Sequence, residues 1–214
     1  TEDSVKSDVS VTGEDIVEGN TYYLQWLNLS VVYNGSRQAP SAVLKCNEDS
    51  SFEKIATVYV KNEAGEAVTA VDVGDYVAVA ECTGINFGEG ENEKEFSISP
   101  LSVIVNWDKA ESYTYSGQAQ GPTARYTDVN GASHTLTANG CGANAGAYTA
   151  SVTANTAGGN YTLTNLTCEY TISPLSVAVN WDNTTSYTYN GNVQGPTARY
   201  TDVNGASATP TASG

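Results

Sequence analysis

Residues 98–140 read ISPLSVIVNWDKAESYTYSGQAQGPTARYTDVNGASHTLTANG, and residues 172–214 read ISPLSVAVNWDNTTSYTYNGNVQGPTARYTDVNGASATPTASG. The two stretches lie 74 residues apart and agree at 33 of 43 positions. A copy that close, spaced by one small domain, marks tandem modules whose elements pack within each unit and against its neighbours. The second copy reaches only the equivalent of Gly140, so a third module is expected to be half present. The chain divides on this basis into a leader (1–19), modules at 20–99 and 100–173, and the first half of a third at 174–214.

No segment carries apolar residues at helical spacing over three turns, whereas short β-branched and aromatic runs recur between Gly, Asn and Pro. The expected fold is all-β, with immunoglobulin-like β-sandwich modules in series. Only Ser99-Pro100 and Ser173-Pro174 separate one module's last strand from the next module's first. Such joints have little slack, and proline stiffens them, so a semi-rigid rod is expected.

Composition narrows the function. Nine Lys and Arg face 24 Asp and Glu, a balance that repels phosphate backbones and argues against a nucleic-acid partner. The excess is local: residues 1–99 carry a net −12 and residues 100–214 only −3. There is no methionine, no apolar leader and no run long enough to cross a bilayer, so the sequence reads as a processed or excerpted segment without membrane insertion. The leader, TEDSVKSDVSVTGEDIVEG, reads as disordered or as one edge strand.

Four cysteines fall two per complete module, Cys46 with Cys82 and Cys141 with Cys168. Bridges within modules are the favoured pairing, because they would hold small cores that are otherwise marginal. Four buried free thiols are the alternative. No CxxC spacing supports zinc or redox chemistry.

Three turns share the signature Y-[NS]-G-x-x-Q-x-P, at Tyr33 to Pro40, Tyr115 to Pro122 and Tyr189 to Pro196. Glycine there permits positive φ in a tight turn, and proline ends pairing before the next strand. Asn130-Gly131 and Asn204-Gly205 then predict two-residue hairpin turns. Their Asp-Val-Asn-Gly context resembles the start of a calcium loop but lacks the later carboxylates. Asp72-Val73-Gly74-Asp75-Tyr76 and Asn144-Ala145-Gly146-Ala147-Tyr148 resemble the tyrosine corner of immunoglobulin-like sandwiches, although Ala78 and Ala150 stand where a cysteine is usual. Asn160-Tyr161 is expected to open a last strand that runs through Cys168 to Ile172. Each module should bury one tryptophan (Trp26, Trp107, Trp181) as a core or joint anchor.

Taken together, Y-x-G-x-x-Q-x-P, A-G-x-Y, G-N-Y and the terminal [YF]-[ST]-I strand resemble the MBG-type repeats and related immunoglobulin-like modules of Gram-positive surface proteins. That resemblance covers about residues 20–214 and rests on turns and strand ends. It implies an extracellular, cell-surface stalk or adhesin segment. The half-present third module is expected to be completed by neighbouring modules, either in the next stretch of a longer chain or in another copy of this one, head to tail. The alternative is a module that binds glycan or host protein. Module one, with its insertion near Asn47 to Lys54 and most of the charge, would then be the reader.

Catalytic chemistry was sought and finds no support in the residues. His134 is replaced by Ala208 in the copy, and no Ser/His/Asp spacing accompanies it. Modules two and three hold six acids between them, mostly at turns, too few for a converging pair. Glu89, Glu91, Glu93 and Glu95, with Asp72 and Asp75, read as a solvated run rather than a calcium site. Lys109 is the only lysine of module two, which leaves little for an isopeptide cross-link. No cofactor and no metal are expected.

Overall fold

A computed structural model describes residues 4–5, 16–153, 159–182 and 184–210, with only the backbone for residues 4–5. Most of the expected leader therefore lies outside the described residues. Every regular element among the described residues is a strand, so the fold is all-β. In chain order these are β1 (Ser4–Val5), β2 (Tyr22–Leu27), β3 (Ser30–Val32), β4 (Ser41–Cys46), β5 (Glu53–Ile55), β6 (Thr57–Lys61), β7 (Ala67–Val68), β8 (Gly74–Glu81), β9 (Glu93–Ser99) and β10 (Leu101–Ile104). There follow β11 (Asn106–Asp108), β12 (Tyr113–Thr114), β13 (Thr123–Thr127), β14 (Ser133–Leu136), β15 (Gly146–Ser151), β16 (Tyr161–Thr164), β17 (Thr167–Ser173), β18 (Asn180–Trp181), β19 (Ala198–Thr201) and β20 (Ser207–Ala208).

The chain forms two compact units, residues 1–104 with 127–132 and 154–164, and residues 105–126 with 133–153 and 165–214. This division does not follow the sequence repeat. Parts of the second module (101–104, 127–132 and 159–164) belong to the first unit because of the side-chain contacts described below.

In the first unit, one sheet runs β1-β2-β4-β5 and the other β3-β9-β8-β6-β7. The alternation expected of strands with one buried face is plain in β4, where Ala42, Leu44 and Cys46 point inward. They meet Tyr22, Leu24, Ala80 and Ile85 in one cluster, while Val60, Ala78, Phe96 and Ile98 form a second. Trp26 and Val58 touch both clusters and so tie the two sheets together. The N-terminal end of this core is closed. Ile16 is buried in the first cluster, the Val17 amide donates to the Tyr22 hydroxyl at 2.8 Å, and Phe52 packs edge-on against Tyr22 at 5.3 Å. The insertion near Asn47 thus lends its one aromatic side chain to closing the core.

The second unit repeats the pairing. Trp26 lies opposite Ala42 across β2 and β4, Trp107 opposite Ala124 across β11 and β13, and Trp181 opposite Ala198 across β18 and β19. Likewise β3 runs parallel to β9, and β12 runs parallel to β17. One buried cluster of the second unit holds Ala150, Tyr170 and Ile172, with Trp107, Tyr113, Tyr115 and Tyr148 against them; Val105, Ala124, Tyr126, Leu136 and Val152 are buried as well.

Two expectations are corrected here. The stretch from Tyr161 to Ile172 is two strands, because Asn165 takes a φ of 60° and breaks the run. Before the break β16 pairs parallel with β10, and after it β17 pairs antiparallel with β15. The Asn165 carbonyl accepts the Trp107 indole N–H at 2.9 Å, and its side chain donates to the Val105 carbonyl. The second correction is to the tryptophans. Trp26 and Trp107 are half-buried, but Trp181 is 54% exposed. Among the described residues, no strand stands beside residues 175–178 as β16 stands beside β10, and Leu175, Val177 and Val179 are exposed with Trp181.

Candidate functional site at the turn and hairpin contacts

The recurrent turns are built alike. Gly35, Gly117 and Gly191 have φ of 75°, 73° and 79°, values that an L side chain adopts only with strain. In each turn the conserved-position glutamine reaches back and donates from Nε2 to a carbonyl six residues earlier: Gln38 to Val32, Gln120 to Thr114 and Gln194 to Thr188, at 2.8–3.0 Å. That bond explains the Q of the motif, which sequence reasoning left without a role.

The Asp-Val-Asn-Gly hairpins are not two-residue turns. In each, the aspartate amide donates to the alanine carbonyl four residues on, and only the glycine has positive φ. A two-residue type I′ turn would need positive φ at the asparagine as well, so the connection is a three-residue loop ending in a left-handed glycine. The Asp128 carboxylate accepts the amides of Asn130 and Ala132, both at 2.9 Å, and Asp202 does the same for Asn204 and Ala206. The carboxylate is spent inside its own loop, which leaves the valine at the tip.

That valine meets the turn glycine. Within the first unit, a Cβ added to Gly35 would lie 2.6 Å from Val129 Cγ2. Within the second, a Cβ added to Gly117 would lie 3.1 Å from Val203 Cγ2. Glycine is required at these positions twice over, by backbone conformation and by close approach. Around Gly35 the contact is elaborated. Tyr161 packs edge-on against Tyr33 at 5.3 Å, and its hydroxyl accepts the Val129 amide at 3.3 Å. Asn160 accepts the Val73 amide through Oδ1 and donates through Nδ2 to Asp72 Oδ1, both at 2.9 Å. Burial, and then the Tyr161 hydroxyl, push the Tyr33 phenol above its ordinary pKa.

The tyrosine-corner positions have the geometry their sequence suggests. The Tyr76 hydroxyl donates to the Asp72 carbonyl at 2.8 Å, and the Tyr148 hydroxyl to the Asn144 carbonyl at 2.9 Å. Each lines a shallow groove. One, of about 470 Å³, is bounded by Glu63, Asp75, Tyr76, Val77, Glu95, Phe96 and Ser97. The other, of about 590 Å³, lies at the equivalent place beside Tyr148 and Tyr170.

The remaining candidate residues are dispersed. Glu91 accepts the Gly88 amide and Glu93 pairs with Lys61 at 2.9 Å, which raises the lysine's pKa. Lys109 donates to the Glu169 carbonyl, and His134 stacks on Tyr126 at 4.9 Å. The four cysteines are free thiols, so the favoured bridges are not formed. Cys46 and Cys82 are buried in the same cluster, and burial raises the Cys82 pKa. Cys141 is exposed near the Tyr170 hydroxyl end, with its flanking Gly140 and Gly142 bonded to that hydroxyl. Cys168, on β17, is partly buried. A thiol reagent should modify Cys141 first, Cys168 next, and Cys46 and Cys82 only on unfolding, as read by mass spectrometry. A chain with no reactive thiol after denaturation would instead carry both bridges.

No protein-family model matches the chain, and no curated protein matches it.

Proposed function

We propose that this chain is a non-enzymatic extracellular stalk or filament segment of a bacterial surface protein. The observation that carries this reading is the valine-on-glycine contact, made at Gly35 and made again at Gly117 with the same residue types. A contact repeated from one module to the next serves to join like to like, which is what a load-bearing series needs. The recurrent polar side chains support the same reading, since Gln38, Gln120, Asp128, Asp202, Tyr76 and Tyr148 are all engaged in turns. The assignment to bacterial surface modules rests on the sequence motifs alone. Force spectroscopy on the full chain, held at its ends, tests it. The expected result is that Val129→Asp lowers the unfolding force of the first unit, and equal forces would overturn the reading.

A second reading is favoured by one observation. The groove on the first unit sets Tyr76 and Phe96, tilted rings 6.1 Å apart, beside Asp75, Glu95 and Glu63. Phe96 is buried behind the half-exposed Tyr76 ring, and that one aromatic face with flanking carboxylates suits a hydroxyl-rich or cationic ligand, so glycan or host-protein binding is the alternative. A glycan array probed with the full chain distinguishes them: saturable binding abolished by Tyr76→Ala would establish the alternative.

A further inference from the structure

We propose that the turn at Tyr189, Asn190 and Gly191 is a docking seat for another β-module that presents a valine at the tip of an Asp-Val-Asn-Gly hairpin. The inference rests on the joining role proposed above and names the partner at one further surface.

The seat is fully built. Gly191 holds a φ of 79°, Asn190 Oδ1 accepts the Asn192 amide at 3.0 Å, and Gln194 Nε2 donates to the Thr188 carbonyl at 2.8 Å. These bonds reproduce those at Asn34 and Gln38. The two like turns each lie against a hairpin valine, Val129 or Val203. At Gly191 an added Cβ would meet nothing within 4 Å among the described residues. Tyr189 is 91% exposed and Val193 fully so, while Tyr33 and Tyr115 are half-buried. The surface is therefore uncharged, preformed and accessible.

Its chemistry selects the occupant. Residues 187–194 read YTYNGNVQ and carry no charge. An incoming hairpin holds its one carboxylate against its own loop amides, which leaves the valine as the side chain at the tip. Glycine at the floor admits a branched side chain at close range but offers no polar atom to a charged tip. Module one cannot be the donor. Its loop at the corresponding place is the insertion, with Phe52 turned onto Tyr22 and Glu48 accepting the Thr21 amide. The partner is thus a module of the second or third kind.

The test titrates the isotope-labelled full chain with a backbone-cyclised peptide of residues 123–136, TARYTDVNGASHTL. Amide shifts should saturate at residues 187–194. Affinity should fall at least about tenfold with Val129→Asp in the peptide, the loss expected when a buried valine is replaced by a charge. Gly191→Asn in the chain should weaken binding similarly, since asparagine tolerates the left-handed backbone yet fills the seat. No shift at millimolar peptide would overturn the proposal. So would shifts indifferent to Val129→Asp, which would assign the surface to another occupant, and shifts at 33–38 or 115–120 in its place. The pulling experiment reads seats already filled, so a failure here leaves the stalk reading standing.

Discussion

Gly35→Val is expected to expel Val129 from its seat and to destabilise the first unit by about 2–3 kcal/mol. Two effects of comparable size combine. A β-branched residue forced to a φ near +75° costs about 1–2 kcal/mol. Overlap at 2.6 Å then displaces a half-buried valine, whose packing contributes about another 1 kcal/mol. The chain supplies its own control. Gly191 has nearly the same φ with open space above it, so Gly191→Val should show the strain alone, and Gly117→Val, at 3.1 Å, should fall between. Urea denaturation followed by hydrogen exchange at Tyr161 and Val129 reads the effect. Equal losses at the three glycines would mean that the valine contact contributes nothing.

Gly140→Ala should be more damaging to the second unit, with a loss of at least about 3 kcal/mol. Gly140 has a φ of 86°, and an added Cβ would lie 2.4 Å from the Thr149 carbonyl oxygen. The obstacle is backbone, and it cannot withdraw: Thr149 sits in β15, paired across six positions with β17. The Tyr170 hydroxyl, 3.0 Å from the Gly140 carbonyl, would also lose its setting. Small domains are marginally stable, so a loss of that size is a large fraction of the unit's stability. Thermal unfolding monitored by tryptophan emission measures it, and a shift of less than a few degrees would contradict the geometry.

Much of this molecule was legible before any coordinates. β-Branched and aromatic runs between Gly, Asn and Pro, with no helical spacing, gave the strands, since these local preferences survive without tertiary information. The tyrosine corners were legible because their hydrogen bond is local, spanning four residues. The joint was not. Val129 over Gly35 links residues that nothing in the order of the chain brings together, and valine in a turn reads as incidental. A signal was nonetheless present: the D-V-N-G valine recurs unchanged at 203, although no strand pattern requires it there. The break at Asn165 was missed for a different reason, since a single left-handed asparagine inside a β-rich run leaves no trace in hydrophobic pattern. The bridges expected of the cysteines depended on proximity within a module. The fold grants that to Cys46 and Cys82 only as members of one cluster, and places Cys141 and Cys168 apart.

The hairpin valine and the turn glycine sit on the same repeating unit, one on each of two separate loops. Duplication of 74 residues therefore creates a matching key and lock in a single genetic event. Lineages could lengthen or shorten such a chain by recombination, with no fresh surface to evolve and no compensating substitution to await. Near-identical neighbours also exchange strands readily, so divergence outside the matched loops, as between His134 and Ala208, guards each copy against pairing with the wrong one.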